Sequence, residues 1–162
     1  MVRAYRIADL PAIMDIANRA WRGIYRMFRE CYGEELFRIV CADETTVKGH
    51  QIQAHCEKHP EWIYVAEEEG RIVGFVTFFI DKDKAIGEIG NNAVDPDCGI
   101  KGVGQRMYQA VLEHFRAKKM RYACVRTGLD EAHARARKAY ERAGFDIRHE
   151  TVTYFQKLQE AP

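Results

Sequence analysis

Between Ala93 and Met107 the chain reads AVDPDCGIKGVGQRM, and this stretch carries the clearest binding chemistry in the sequence. An extended segment ends at Asp95-Pro96. Gly99, Gly102 and Gly104 then lie just ahead of an amphipathic helical pattern. The first turn of a helix presents backbone N–H groups with no internal partner. Together with the helix dipole they form an anion site, and glycine lets a phosphate approach the backbone closely. The dipole supplies roughly 0.3–2 kcal/mol, so several N–H bonds must add to it. The phosphate-loop pattern G-x-x-x-x-G-K-[ST] is absent, and the glycines stand in a different order from the dinucleotide pattern G-x-G-x-x-G, so neither of those readings holds. Taken alone, the glycines serve equally to let a helix pack tightly on its strand.

Such a loop needs a strand before it and a helix after it, and the flanking patterns predict both. A strand is expected over 86–94, and a helix over 103–118 with Val103, Met107, Val111 and Phe115 on one face. A strand over 122–127 follows. Strand, helix and strand form a right-handed crossover unit, so the two strands should run parallel. Upstream, 62–67 and 71–80 read as a hairpin around Glu68-Glu69-Gly70. Further back come a short strand at 3–7, a helix capped by Asp9 running to about 22–24, and helices over 33–41 and 45–58. Downstream, Asp130 caps a helix in which Ala132, Ala136, Ala139, Tyr140 and Ala143 share a stripe, and Gly144 ends it. Residues 145–149 and 151–158 read as two last strands. The expected fold class is α/β: a mixed, mostly antiparallel sheet with one parallel pair and helices on both faces. No linker or repeat divides residues 1–162, which are expected to form a single domain.

Two stretches in this order resemble the GNAT superfamily of acyl-coenzyme A-dependent N-acetyltransferases. The first is Ala93-Val94-Asp95-Pro96 followed by Gly99-Ile100-Lys101-Gly102-Val103-Gly104, similar to the family's A-V-x-P and [QR]-x-x-G-x-[GA]. The second is His133, Ala136, Tyr140, Gly144 and Phe145, similar to N-x-x-A-x-x-x-Y-x-x-x-G-F. Gly99 stands where the family usually has Gln or Arg, and His133 where it usually has Asn. The resemblance implies acetyl transfer from acetyl-CoA directly to a primary amine of a small molecule or peptide. It also allows a homodimer. A non-catalytic acyl-CoA-binding domain of the same fold is the alternative, and turnover with any amine separates the two.

On that resemblance the cofactor would meet Asn92, Ala93, Val94, Gly99, Ile100, Lys101, Gly102, Val103, Gly104, Gln105 and His133. Backbone N–H groups around Ala93 and Val94 would stabilise the thioester oxygen. Tyr140 would protonate the leaving thiolate, since a phenol with a reference pKa near 10 carries its proton at neutral pH. Read from its stripe alone, the same tyrosine is a core aromatic. Glu88 lies six residues before Val94, as a glutamate does in some relatives, and is the candidate base. Strict alternation puts Gly90 and Asn92 on its face. Trp21, Tyr25, Phe28 and Tyr32 either line the acceptor pocket, which the first helices border in this family, or pack as core.

Composition removes other classes. Lys plus Arg is 25 and Asp plus Glu is 24 in 162 residues, a net charge of +1, which argues against a nucleic-acid binder that works by neutralising phosphates. The longest apolar run, 72–80, falls well short of the roughly 20 residues a membrane helix needs. The first residues show no apolar core with a cleavage site, so no secretory signal is expected. Five cysteines with no C-x-x-C pair read as reduced thiols in the cytoplasm. His55, Cys56 and His59 lack a second ligand pair, and no metal is expected.

Overall fold

At residue 62 the period of the chain changes from helical to alternating, and the structure changes with it. The computed structural model describes residues 1–41 and 43–159. After a three-residue strand β1 (Val2–Ala4), helix α1 (Leu10–Cys41) and helix α2 (Val47–Lys58) fill the N-terminal third. Strands β2 (Ile63–Glu68), β3 (Arg71–Asp81) and β4 (Ile86–Val94) follow. Helix α3 (Val103–Ala117) then crosses to β5 (Tyr122–Val125), and α4 (Ala134–Arg142) comes last. The sheet order is β1-β2-β3-β4-β5, antiparallel except for the parallel β4–β5 pair. The expected α/β class and the parallel crossover are both present.

The two sheet faces bury separate cores. Ile13, Ile16 and Ala17 of α1 and Ile52 and Cys56 of α2 pack on Val65, Phe75 and Ala93. On the other face Val103, Met107, Val111 and Phe115 of α3, with Tyr140 of α4, pack on Ala66, Val76, Phe78 and Ile89. Two glycines permit this closeness: a Cβ at Gly87 would stand 2.5 Å from the Phe115 ring, and one at Gly74 would stand 2.9 Å from the Ala93 carbonyl. Among the described residues no helix is long and apolar enough to cross a membrane.

Several sequence expectations change. The first helix continues through 25–32, and the segment expected at 33–41 follows directly after Gly33, whose φ of 73° and ψ of 165° break the helix there. The first strand stops at Ala4. Asp9 does not cap α1; its carboxylate takes the Arg3 guanidinium at 2.8 and 2.9 Å and the Arg6 N–H at 2.8 Å. The strands expected at 145–149 and 151–158 do not form. Alternation makes a strand only where a neighbouring strand supplies the ladder, and here Ile147 and Leu158 are each 83% exposed. The stretch instead reaches α1, where Phe155 meets Tyr32 edge-on at 5.4 Å and Lys157 pairs with Glu35 at 3.0 Å.

Candidate active site

Strand β5 pairs with Ile86–Ile89, so among the described residues Gly90–Val94 of β4 have no strand beside them on that edge. The glycine loop lies at the end of this unpaired length. Gly102 is the N-cap of α3 with φ 79°, and Gly99 has φ 67°, both in the left-handed region that favours glycine. A Cβ at either would meet nothing within 4 Å, so the backbone faces open space. The first-turn N–H groups of Val103, Gly104 and Gln105 lie where an α-helix supplies no internal acceptor. The geometry fits the pyrophosphate of an acyl-CoA: an open glycine cradle on the positive end of a four-turn helix. The Val103 side chain is core, so only its backbone faces the loop, and the Gln105 amide donates to the Ala139 carbonyl at 2.7 Å, fastening α3 to α4. Ile100 and Lys101 are exposed at the rim.

An aspartate anchors the loop's first residue. Asp95 is only 6% exposed and accepts the Arg19 guanidinium at 2.6 Å and the Asp97 N–H at 3.0 Å. The Arg19 hydrogen bond holds its carboxyl below the usual aspartate range, against the opposing effect of burial. This pair ties α1 to the end of β4.

A bulge decides what faces the cleft. Ile89 pairs with Phe78 and Asn92 with Val76, so β4 advances three residues while β3 advances two. Gly90 is required there, because a Cβ would stand 2.6 Å from Thr77 Oγ1, and that hydroxyl donates to the Asn91 carbonyl at 3.1 Å. The bulge overturns the simple alternation. Glu88 pairs with Phe79, which packs on His55 of α2 and on His59 just beyond its end, so Glu88 faces the α1–α2 side. Asn92 faces the α3–α4 side.

There Asn92 is fully engaged. Tyr108 Oη donates to its Oδ1 at 2.7 Å, and its Nδ2 donates to Tyr140 Oη at 2.9 Å and to the Gly90 carbonyl at 3.1 Å. Tyr140 is 7% exposed and its ring lies 5.2 Å from that of Tyr108. Its oxygen accepts from Asn92, and the phenol carries a proton of its own. Burial pushes the Tyr140 phenol up, with the bonds from Asn92 and Tyr108 opposing, so it keeps that proton at neutral pH.

The other two expected residues sit apart from this network. Glu88 pairs with the exposed Arg126 at 3.1 Å. His133 Nδ1 lies 2.8 Å from both Asp130 carboxylate oxygens, which leaves Nε2 outside that pair. The four aromatics resolve both ways: Trp21, Tyr25 and Phe28 line a hollow of about 230 Å³, while Tyr25 is also buried against Phe37 and Cys41, and Tyr32 stacks on Phe28. Sequence reasoning missed Tyr108, Asn91 and Lys48. Tyr108 was legible as a neighbour of the Met107 stripe; the other two depend on the bulge and on the α1–α2 contact.

Residues 13–145 match the model of the acetyltransferase (GNAT) family. The chain is 31% identical over 107 residues to the S-(2-succino)cysteine N-acetyltransferase of Bacillus subtilis, a match covering 59% of this chain and 65% of that protein. It is 30% identical over 105 residues to the mycothiol acetyltransferase of Acidimicrobium ferrooxidans, covering 63% of this chain and 33% of that one. Among solved structures it resembles the PaiA N-acetyltransferase of Thermoplasma acidophilum crystallised with coenzyme A, with a TM-score of 0.68 and 16% identity over 93% and 92% of the two chains. It also resembles an acetyltransferase of Brucella melitensis crystallised with acetyl-CoA, with a TM-score of 0.61 and 20% identity over 91% and 82%.

Proposed function

The chain belongs to the GNAT acetyltransferase family, and from that membership we propose that it transfers an acetyl group from acetyl-CoA directly to a primary amine. The observation that carries the reading is Tyr140: a buried phenol beside the unpaired length of β4, its oxygen accepting from Asn92. Bound acetyl-CoA would supply the activated thioester. The N–H groups of Gly102, Val103, Gly104 and Gln105 hold the pyrophosphate, with Lys101 adding charge at the rim and Gly99 and Ile100 shaping the loop. The backbone of Asn92, Ala93 and Val94 receives the pantetheine arm, and the Val94 N–H stabilises negative charge on the thioester oxygen, while the Ala93 N–H, like that of Asp95, faces β3. His133 offers Nε2 to the same arm. Tyr140 holds a proton for the departing sulfur, positioned by the Asn92 side chain. Glu88, on the opposite face, takes the proton that the amine must lose, directly or through water.

The relatives with small thiol-derived substrates in their names support a small-molecule acceptor over a protein amine. The five free thiols, with Cys41 and Cys56 buried, fit a reducing cytoplasm. The deciding experiment is a calorimetric titration with acetyl-CoA followed by thiol-release assays over a panel of amines. Saturable binding with amine-dependent thiol release is expected. An absence of cofactor binding at millimolar ligand would overturn the reading.

A further inference from the structure

On the α1–α2 side of the sheet the same bulge turns Asn91 inward, and its Oδ1 lies 3.2 Å from Lys48 Nζ. Lys48 is only 9% exposed. Its ammonium also donates to Gln51 Oε1 at 2.8 Å and sits 4.6 Å from the centre of the Trp21 ring. Its partners are two amides and an aromatic face, and among the described residues it forms no ion pair. A lysine this buried ordinarily has a carboxylate beside it. Position makes the need sharper, since Lys48 stands in the first turn of α2, where the helix dipole is positive and disfavours a cation. Burial alone pushes its ammonium down to about 8, a value that still leaves it largely charged at neutral pH.

The lysine forms one wall of the hollow lined by Trp21, Tyr25 and Phe28. Tyr25 is shared with a second, wider hollow of about 470 Å³ whose walls carry Arg22, Arg26 and Arg29. Arg29 is answered by Glu34 and Glu44. Arg22 and Arg26, one helical turn apart on α1, form no ion pair among the described residues. The two adjoining hollows therefore offer two separate uncompensated positive points, the buried Lys48 and the exposed Arg22–Arg26 pair. Lys48 in turn reaches Asn91, the chain neighbour of the asparagine that holds Tyr140.

We propose that these adjoining hollows bind the amine acceptor through its acidic groups, and that the acceptor class is a small amine carrying two carboxylates, an amino dicarboxylic acid. One carboxylate meets Lys48 and supplies its missing counter-charge; the other lies between Arg22 and Arg26. The apolar stem of the acceptor lies against Trp21 and Phe28. The inference rests on the acetyl-transfer reading and narrows it.

The test begins by saturating the wild-type protein with coenzyme A; failure at that step overturns the acetyl-transfer reading itself. The loaded protein is then titrated calorimetrically with glutamate, S-carboxymethylcysteine, glutamine and spermidine. Glutamate or S-carboxymethylcysteine should bind at least about tenfold more tightly than glutamine, as expected for a hydrogen bond to a charged group. Equal or tighter binding of glutamine or spermidine, or no binding of either dicarboxylate, overturns the proposal and leaves acetyl transfer standing. Lys48→Met should weaken dicarboxylate binding by about 10–100-fold while coenzyme A affinity is retained. If that variant does not fold, the Arg22→Gln/Arg26→Gln double variant, on the exposed side of α1, decides the matter through a loss of about tenfold. Unchanged affinity in the folded variants sinks the idea.

Discussion

Asn91 and Asn92, consecutive on β4, project to opposite faces of the sheet: one reaches Lys48 of α2 and the other Tyr140 of α4. Adjacent residues of a regular strand face apart, but the bulge in β4 chose which face each of these two received. A shift by one residue would place Asn92 beside the lysine and leave the phenol without its donor. The bulge therefore connects a cationic cavity on one side with a proton donor on the other across a single peptide.

Tyr140→Phe should lower kcat by roughly 10²–10⁴ with acetyl-CoA affinity nearly unchanged. The ring still packs against Tyr108 and Phe145, and Asn92 Nδ2 keeps the Gly90 carbonyl as an acceptor. Steady-state rates together with calorimetry check this; an unaltered rate returns Tyr140 to a packing role.

Tyr108→Phe removes the hydroxyl that donates to Asn92 Oδ1 and leaves that oxygen unpaired in a half-buried site. The expected cost is about 1–3 kcal/mol, read as a lower midpoint in urea. Activity should fall as well, because Asn92 is then free to rotate away from Tyr140. A variant with wild-type stability and rate would show that the asparagine is held by other means.

Gly104→Glu separates the loop's binding role from its structural one. A Cβ there meets only ordinary contacts, 3.8 Å from Val94, and an acidic residue in the first turn of α3 favours the helix dipole. The melting temperature should hold or rise while coenzyme A binding drops sharply, because the new carboxylate repels the pyrophosphate. Full binding in the folded variant would make the loop a packing device.

The Arg19–Asp95 pair should shape the acid limb of stability. The folded-state pKa of Asp95 lies below its unfolded value, with the Arg19 hydrogen bond as the largest cause. Its contribution is therefore fully present above about pH 5 and is lost as pH falls through the unfolded value near 4 and below it. Asp95→Asn should be less stable at neutral pH, and its stability should change less between about pH 5 and pH 3. Parallel pH profiles for the two proteins would contradict this assignment.

Local signals in the sequence reached a long way. The glycines of the loop, the strand before it, the amphipathic α3 after it and the Tyr140 helix are written in short stretches whose periodicity and turn chemistry do not depend on partners. The helix signals at Asp130 and Gly144 hold for the same reason: Asp130 accepts the His133 N–H, and Gly144 takes a φ of 100°. Elsewhere partners decide. Ile147, Val152, Tyr154 and Leu158 alternate as a strand would, yet stand exposed with no strand beside them. Asn91, Asn92 and Lys48 acquired their roles only when one extra residue in β4 met β3 and α1 closed on α2. Periodicity is a property of the chain itself and can be read from it. A bulge, a buried ammonium and a ladder partner are relations between segments far apart in sequence, and only the packed tertiary structure fixes them.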